Sequence, residues 1–428
     1  MELDLELELE NFNKKVESIR GLPNYVEPIA FGLCRNLLAN DGRVLESKFI
    51  HTNHKENYGS AAILTLIGEA MSASADGYKL HDTENESVYK VDKDFLDKAL
   101  NEFIAFKDEV TGDKHINIQA LLAMREATET YEDMDDNTKT AYGAPEYRFV
   151  VVYNDKPVET VESTYLKLTL LSECKVGVRE LNLDGAFGVL TNCAWLSNGL
   201  PIALDELRAV KMRLIANGEY PSITHIDKFP YMLQHVLPAD NTRILDTSKV
   251  RMGAHLANGT TVMPGASYVN FNAGTEGPVM VEGRVSSSVK VGSGSDIGGG
   301  ASILGVLSGG NNNPISIGKK CLLGANSVTG ISLGDNCIVD AGATILAGTY
   351  VSILGSDWHL IHEANEGVEI ECRYKEHTDE MTESSTTYYV KGSSLSGLSG
   401  IHYREDSTTG LTVAFLSERV VKLNSDLH

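Results

Sequence analysis

VSSSVKVGSGSDIGGGASI, residues 285–303, is the stretch that decides the fold. Val285, Val291, Ile297 and Ile303 stand six residues apart, and glycine follows two of them directly. A period of six matches neither the 3.6 of an α-helix nor the 2 of a simple strand. It matches short strands joined by tight turns, each aliphatic side chain pointing into a narrow triangular interior. Three hexapeptides make one coil of roughly 18 residues, and successive coils stack by parallel-sheet hydrogen bonds. Outward from this stretch the same spacing joins Val250, Leu256 and Val262, then Val279 to Val285. It resumes at Ile317 and Leu323, and again at Leu333, Val339, Ile345 and Val351. Between Ile303 and Ile317 the polar, Gly/Asn-rich segment LGVLSGGNNNPIS reads as a loop extruded from the coil, residues 304–316. A smaller break falls at Asn326–Ile331.

The expected fold is a mixed α/β N-terminal region, a left-handed parallel β-helix of hexapeptide repeats, and a small β-rich C-terminal cap. The boundaries read from composition are 1–145 for an N-terminal α/β region and 146–245 for a second α+β region. The β-helix follows over 246–351 and the cap over 352–428. FLDKALNEFIAF and DELRAVKMRLI carry helical periodicity, and EYRFVVVYN reads as a strand. MELDLELELE fits an amphipathic strand or a solvated acidic tail about equally. The polar run EHTDEMTESSTT is expected to separate the solenoid from strand-like YYVKG, IHYRE and LTVAFL, which would cover its open end.

The net charge of −22 argues against nucleic acid as a partner, because phosphates are repelled at long range. Between residues 251 and 350 the acidity vanishes. There Arg251, Arg284, Lys290, Lys319 and Lys320 balance Glu276, Glu282, Asp296, Asp335 and Asp340. An anionic small molecule would find its cations in that window. No apolar run approaches the ~20 residues that span a bilayer, and the N-terminus lacks the pattern of a signal peptide. Six scattered cysteines without a CxxC pair suit a reducing, cytoplasmic setting and argue against zinc.

GSGSDIGGG lacks a following helix and sits in register with the hexapeptides, so it does not read as a nucleotide-binding loop. His51/His54 and His359/His362 have metal-like spacings but no third ligand, and read as surface histidines. His255 alone falls within the expected solenoid, which argues against hydration enzymes of this shape that use three. It could serve as a general base, but a structural role is the plainer reading. Glu282, in MVEGR, interrupts small and aliphatic residues, with Arg284 two positions on and therefore on the same face of a strand. A surface ion pair is one reading. The other is a carboxylate beside a thioester, taking a proton from an attacking amine or attacking the thioester itself.

VRMGAHLANGTTVM, VNFNAGTEG, MVEGR, VGSGSDIGGGASILGVLSGG, ISIGKKCLLGANS and ISLGDNCIVDAG resemble the tetrahydrodipicolinate N-succinyltransferase family, in the long-chain form of its actinobacterial members. LNLDGAFGVLTNCAW, DKFPYML and, more loosely, VKGSSLSG and HYRED extend the likeness over about 180–350 and 388–415. The first ~180 residues match nothing that can be carried over. The resemblance implies succinyl transfer from succinyl-CoA to the amino group of ring-opened tetrahydrodipicolinate, giving N-succinyl-2-amino-6-oxopimelate and CoA. This is a step of diaminopimelate and lysine biosynthesis. The nearest alternatives are an acetyl-CoA-dependent relative of the same fold and a non-catalytic scaffold. By resemblance, Glu282 is catalytic and Gly305 helps to polarise the thioester carbonyl. Arg284, Gly299, Ser302, Ala325, Asp340, Ala341, Gly348, Lys391 and Arg404 take the succinyl-CoA positions. The family implies a homotrimer, with succinyl-CoA a co-substrate and no tightly bound cofactor. Some members bind magnesium through acidic residues where this chain has Lys249 and Ala266, so no metal is expected.

Overall fold

The computed structural model describes residues 5–136, 138–139, 143–305, 313–376 and 386–417. Two compact units divide the chain: residues 1–170 with 181–230, and residues 171–180 with 231–428.

In the first unit an antiparallel sheet has the order β2-β1-β5-β4-β3, built from β1 (Ala30–Leu38), β2 (Val44–His54), β3 (Lys79–Asp82), β4 (Glu86–Val91) and β5 (Glu146–Val152). Helices α1 (Leu5–Arg20), α2 (Tyr58–Ser74), α3 (Lys93–Glu102) and α4 (Ile116–Glu132) contribute Ile19, Ile63, Leu96 and Leu121 to the core that also holds Phe31 and Phe149. β5 pairs with both β1 and β4, so the boundary expected between residues 145 and 146 would cut this sheet and is corrected. The acidic N-terminus is corrected too: from Leu5 it is α1, neither strand nor tail. The alternating leucines suggested a strand, but leucine and glutamate are good helix formers, and Phe12, Val16 and Ile19 continue the run at helical spacing. Phe12 packs edge-on against Phe106 at 5.0 Å, which fixes the helix. A second sheet, β7-β6-β8, joins β6 (Cys193–Leu196), β7 (Pro201–Ala203) and β8 (Ile223–Asp227), and DELRAVKMRLI lies on the helix Leu204–Asn217.

The second unit is a parallel β-helix of two-residue strands on three faces. The first face stacks Thr261–Val262, Met280–Val281, Asp296–Ile297, Leu322–Leu323 and Ile338–Val339. The second stacks Tyr268–Val269, Arg284–Val285, Ser302–Ile303, Val328–Thr329 and Thr344–Ile345. The third stacks His255–Leu256, Gly274–Thr275, Lys290–Val291 and Ser316–Ile317, with Leu333 bridged to Ile317. The second residue of each strand points inward, so Val262, Val281, Ile297, Leu323 and Val339 share one continuous buried core with Val285 and Val291. The solenoid begins earlier than residue 245, because Arg243–Ile244 already pairs with Thr261–Val262.

The phase of the repeat shifts at one coil. Val281, not Val279, occupies the strand position aligned with Val262 and Ile297. The corner joining the first and second faces holds four residues in most coils, Gly298–Ala301 for example, but only Glu282 and Gly283 in this one. The break at Asn326–Ile331 has a similar cause. Thr329 takes the aliphatic place, its buried hydroxyl donating to the Ile331 carbonyl at 2.9 Å, and Gly330–Ile331 form a short corner.

Beyond Thr344–Ile345 come the strand Tyr350–Leu354, the helix Gly355–Ala364, and strands Cys372–Glu376, Thr387–Lys391, Ile401–Glu405 and Thr412–Leu416. The C-terminal segment is therefore less purely β than expected. Ile401–Glu405 adds in parallel to Ile338–Val339, and buried Tyr403 stands in register with Val339. Residues 306–312 of the expected extruded loop and 377–385 of the polar run lie outside the described residues. Ser316, assigned to that loop, begins a strand.

Candidate active site

The four-residue corner explains its own sequence. Its third residue has positive φ: Gly300 (72°), Asn326 (57°) and Gly342 (76°) occupy the same place in successive coils. Glycine and asparagine tolerate that region where most side chains do not. Each such turn also donates its third N–H to the coil before it, Gly300 to the Glu282 carbonyl at 3.2 Å and Asn326 to the Gly299 carbonyl at 3.0 Å. The corner backbones thus stack as closely as the strands do. A Cβ on Gly298 would stand 2.6 Å from the Leu323 carbonyl oxygen, and one on Gly324 2.4 Å from the Ala341 nitrogen.

From Val281 upward, the residue after each inward-pointing side chain of the first face forms a column: Glu282, Gly298, Gly324, Asp340 and Arg404. The Glu282 N–H donates to the Ile297 carbonyl at 2.8 Å, and the Asp340 N–H to the Tyr403 carbonyl at 2.9 Å. Glu282 is half-buried at the low end, and its Oε2 lies 3.6 Å from where a Cβ on Gly299 would be. Because two residues are missing from its corner, Glu282 and Arg284 fall on either side of the bend, not on one strand face. That corrects the expected juxtaposition. Arg284 Nε donates instead to the buried Ser302 hydroxyl at 3.3 Å, on the second face. Among the described residues, no hydrogen bond or ion pair engages the Glu282 side chain.

At the high end Asp340 accepts from His402 Nε2 at 2.7 Å through Oδ1 and from Arg404 Nε at 3.0 Å through Oδ2. Partial burial raises the Asp340 pKa, but the His402 and Arg404 hydrogen bonds outweigh it and leave the carboxyl below its ordinary value. His402 and Arg404 border a cavity of about 1130 Å³ that Phe415 and Tyr389 also line.

The sequence-chosen residues therefore fall into three groups. Glu282, Gly299, Ala325, Asp340, Ala341 and Arg404 share one corner, and Arg284 and Ser302 lie on the adjoining face. Gly305, Gly348 and Lys391 sit at the far edge of that face. Gly305 is buried two residues beyond Ile303, and Lys391 pairs with Tyr350 beside exposed Gly348. His402 was missed. It joins the coil through a parallel pairing from far along the chain, which no local pattern announces. His255 belongs to the third face, where Nδ1 lies 2.9 Å from the Val176 carbonyl and burial lowers its pKa, marks of a structural ring. Among the described residues, no group of three His, Cys, Asp or Glu side chains is arranged to hold a metal ion.

Models of the tetrahydrodipicolinate N-succinyltransferase N-terminal and middle regions match residues 10–188 and 190–231. A hexapeptide-repeat model of succinyl-transferases matches 314–347. The 2,3,4,5-tetrahydropyridine-2,6-dicarboxylate N-succinyltransferase of a Nitratiruptor species is 48% identical over 421 residues, covering 98% of this chain and 99% of that protein. This chain belongs to the tetrahydrodipicolinate N-succinyltransferase family. The Campylobacter jejuni enzyme of the same name is 46% identical over 98% of this chain and 99% of its own. A Campylobacter jejuni crystal structure assigned to a 2,3,4,5-tetrahydropyridine-2-carboxylate N-succinyltransferase superposes with a TM-score of 0.83 at 44% identity, over 97% of this chain and 99% of that one. The family likeness extends over the first 180 residues, where the sequence blocks offered none.

Proposed function

We propose that this protein transfers a succinyl group from succinyl-CoA to the amino group of ring-opened tetrahydrodipicolinate, releasing CoA and N-succinyl-2-amino-6-oxopimelate. The observation that carries this reading is the Glu282 carboxylate, unpartnered and half-buried at a shortened corner, facing the glycine step at Gly299. A flat glycine corner admits a thin acyl chain beside a carboxylate. In the reaction the amine nitrogen bonds to the thioester carbon, the C–S bond breaks, and the proton lost by the amine balances the one gained by the CoA sulfur. Glu282 takes that proton, or first forms an acyl intermediate that the amine then opens.

Arg284, set by Ser302, supplies the cation for the succinyl carboxylate. The Gly305 backbone N–H is assigned to the developing oxyanion. Gly299, Ser302, Ala325, Asp340, Ala341 and Arg404 guide the coenzyme along the corner. Gly348 and Lys391 guide it at the next edge. From Glu282 to Arg404 is four steps of the ladder, about 19 Å at ~4.8 Å per step. That span suits an extended thioester arm ending in phosphates. The coil is read as left-handed, its end closed by the C-terminal strands. The working form is read as a cytoplasmic homotrimer. The small dicarboxylate is the second substrate, and neither a tightly bound cofactor nor a metal is assigned.

The test follows free CoA after mixing succinyl-CoA and tetrahydrodipicolinate with wild type and Glu282→Ala. Wild type should release CoA and the variant should lose at least about a hundredfold, the usual weight of an acid–base group. Full activity in Glu282→Ala would overturn the role of Glu282. Mass spectrometry of the enzyme with succinyl-CoA alone separates the two routes, since only a nucleophilic Glu282 gains the acyl mass.

A further inference from the structure

Arg404 is half-exposed and reaches the cavity at the high end of the corner, but a long guanidinium has no fixed direction by itself. Asp340 supplies one, taking Arg404 Nε on one oxygen while His402 Nε2 occupies the other at 2.7 Å. His402 is itself immobilised. It is 8% exposed, stands in register with Phe415 across an antiparallel pair, and packs on that ring at 4.6 Å. The Arg404 guanidinium lies over the same ring at 5.5 Å. Phe415, His402, Asp340 and Arg404 thus form a chain in which each group holds the next. With Nε committed to Asp340, the terminal guanidinium N–H groups remain to face the cavity. Both Asp340 oxygens are engaged within the chain, so its carboxylate bears on the coenzyme as the anchor of Arg404.

We propose that His402 is a positioning residue: through Asp340 it aims Arg404 at the anionic end of the coenzyme, four ladder steps from Glu282. The inference rests on the acyl-CoA reading above. It assigns His402 to the binding of the remote nucleotide and not to the chemistry at the thioester.

The experiment measures CoA affinity by calorimetry and steady-state kinetics with succinyl-CoA for wild type, His402→Leu and His402→Gln. It repeats the kinetics with S-succinyl-N-acetylcysteamine, which has the thioester but no nucleotide. His402→Leu should weaken CoA binding and raise the succinyl-CoA KM about tenfold, the weight of one charge-assisted hydrogen bond acting at second hand. Its kcat should stay within about twofold, because nothing at Glu282 moves. His402→Gln keeps an N–H for Asp340 and should recover most of the affinity. All three proteins should use the truncated thioester equally. Unchanged CoA affinity in His402→Leu, or an equal loss on the truncated thioester, would overturn the proposal. If His402→Leu does not fold, Asp340→Asn must show the same split between the two thioesters. A wild type that binds CoA but never turns over succinyl-CoA would sink the proposed function, and the calorimetric comparison would still decide the role of His402.

Discussion

Glu282 Oε2 lies 3.6 Å from the point where a Cβ on Gly299 would stand, so one coil presents its carboxylate to the bare backbone of the next. That separation is an ordinary van der Waals contact, and Gly299 does not have positive φ. Gly299→Ala should therefore fold with a melting temperature within about 2 °C of wild type. Its methyl group would nonetheless occupy the face along which an acyl chain must pass. A displacement of even ~1 Å at a reacting centre can cost about a hundredfold, so kcat/KM for succinyl-CoA should fall by about ten- to a hundredfold. Gly300→Ala should behave differently. It places Cβ 2.4 Å from Asn326 Oδ1 at a φ of 72°, so its loss should appear in thermal stability first. Melting curves and kinetics on the pair distinguish the two glycines.

Arg284 should set acyl selectivity. Its Nε is held by Ser302 at 3.3 Å, which leaves the terminal N–H groups for a carboxylate. Arg284→Ala is expected to lower kcat/KM for succinyl-CoA by about 10–100-fold, the range of a lost charge-assisted hydrogen bond. Acetyl-CoA, with no carboxylate to bind, should be used no worse than before. Equal losses on both thioesters would show that Arg284 does not read the acyl group.

The repeat was legible because burial in a three-sided coil imposes a strict six-residue spacing, and Val285, Val291, Ile297 and Ile303 obey it. What the spacing hid was the deletion at Glu282–Gly283. Val279 and Val281 are both buried valines, and the chain alone gives no reason to prefer the second. The oddity of Glu282 was visible, but its separation from Arg284 was not, because a two-residue corner looks like a strand in one dimension. His402 and Arg404 reach the corner through Ile401–Glu405 pairing with Ile338–Val339, a contact across some sixty residues. Non-local pairing of that kind leaves no periodic trace. At the N-terminus the period-2 leucines were a false signal, overridden once Phe12 and Ile19 found a helical core to enter.

His255 should make stability depend on pH. Burial, the largest influence, lowers its pKa from 6.5, and the carbonyl of Val176 only partly offsets this. The unfolded chain therefore binds more protons than the folded one between the depressed value and 6.5. Stability rises with pH through that window, is complete above about 6.5, and falls as the buried ring is forced to charge. His255→Asn removes the titration and should lose less melting temperature than wild type between about pH 7.5 and 5.5. Identical pH dependence in the two proteins would show that this ring does not contribute.

The shortened corner gives the sharpest separation of fold from function. Inserting Gly-Ala between Gly283 and Arg284 would convert Glu-Gly into Glu-Gly-Gly-Ala, matching the Gly298–Ala301 corner of the next coil. Gly300 shows that a glycine in the third place reaches the left-handed conformation such a corner requires, and the inward positions of Val281 and Val285 are unaffected. The variant should thus fold with near-wild-type stability, as insertions in surface turns usually allow. Yet the added turn would stand beside the Glu282 carboxylate and fill the notch that the deletion leaves. Succinyl transfer should fall by at least about a hundredfold, while CoA affinity, which the proposed reading places at the Arg404 end, should change little. Retained activity in a well-folded insertion variant would mean that the notch is a neutral irregularity of the coil and that the reacting thioester lies elsewhere.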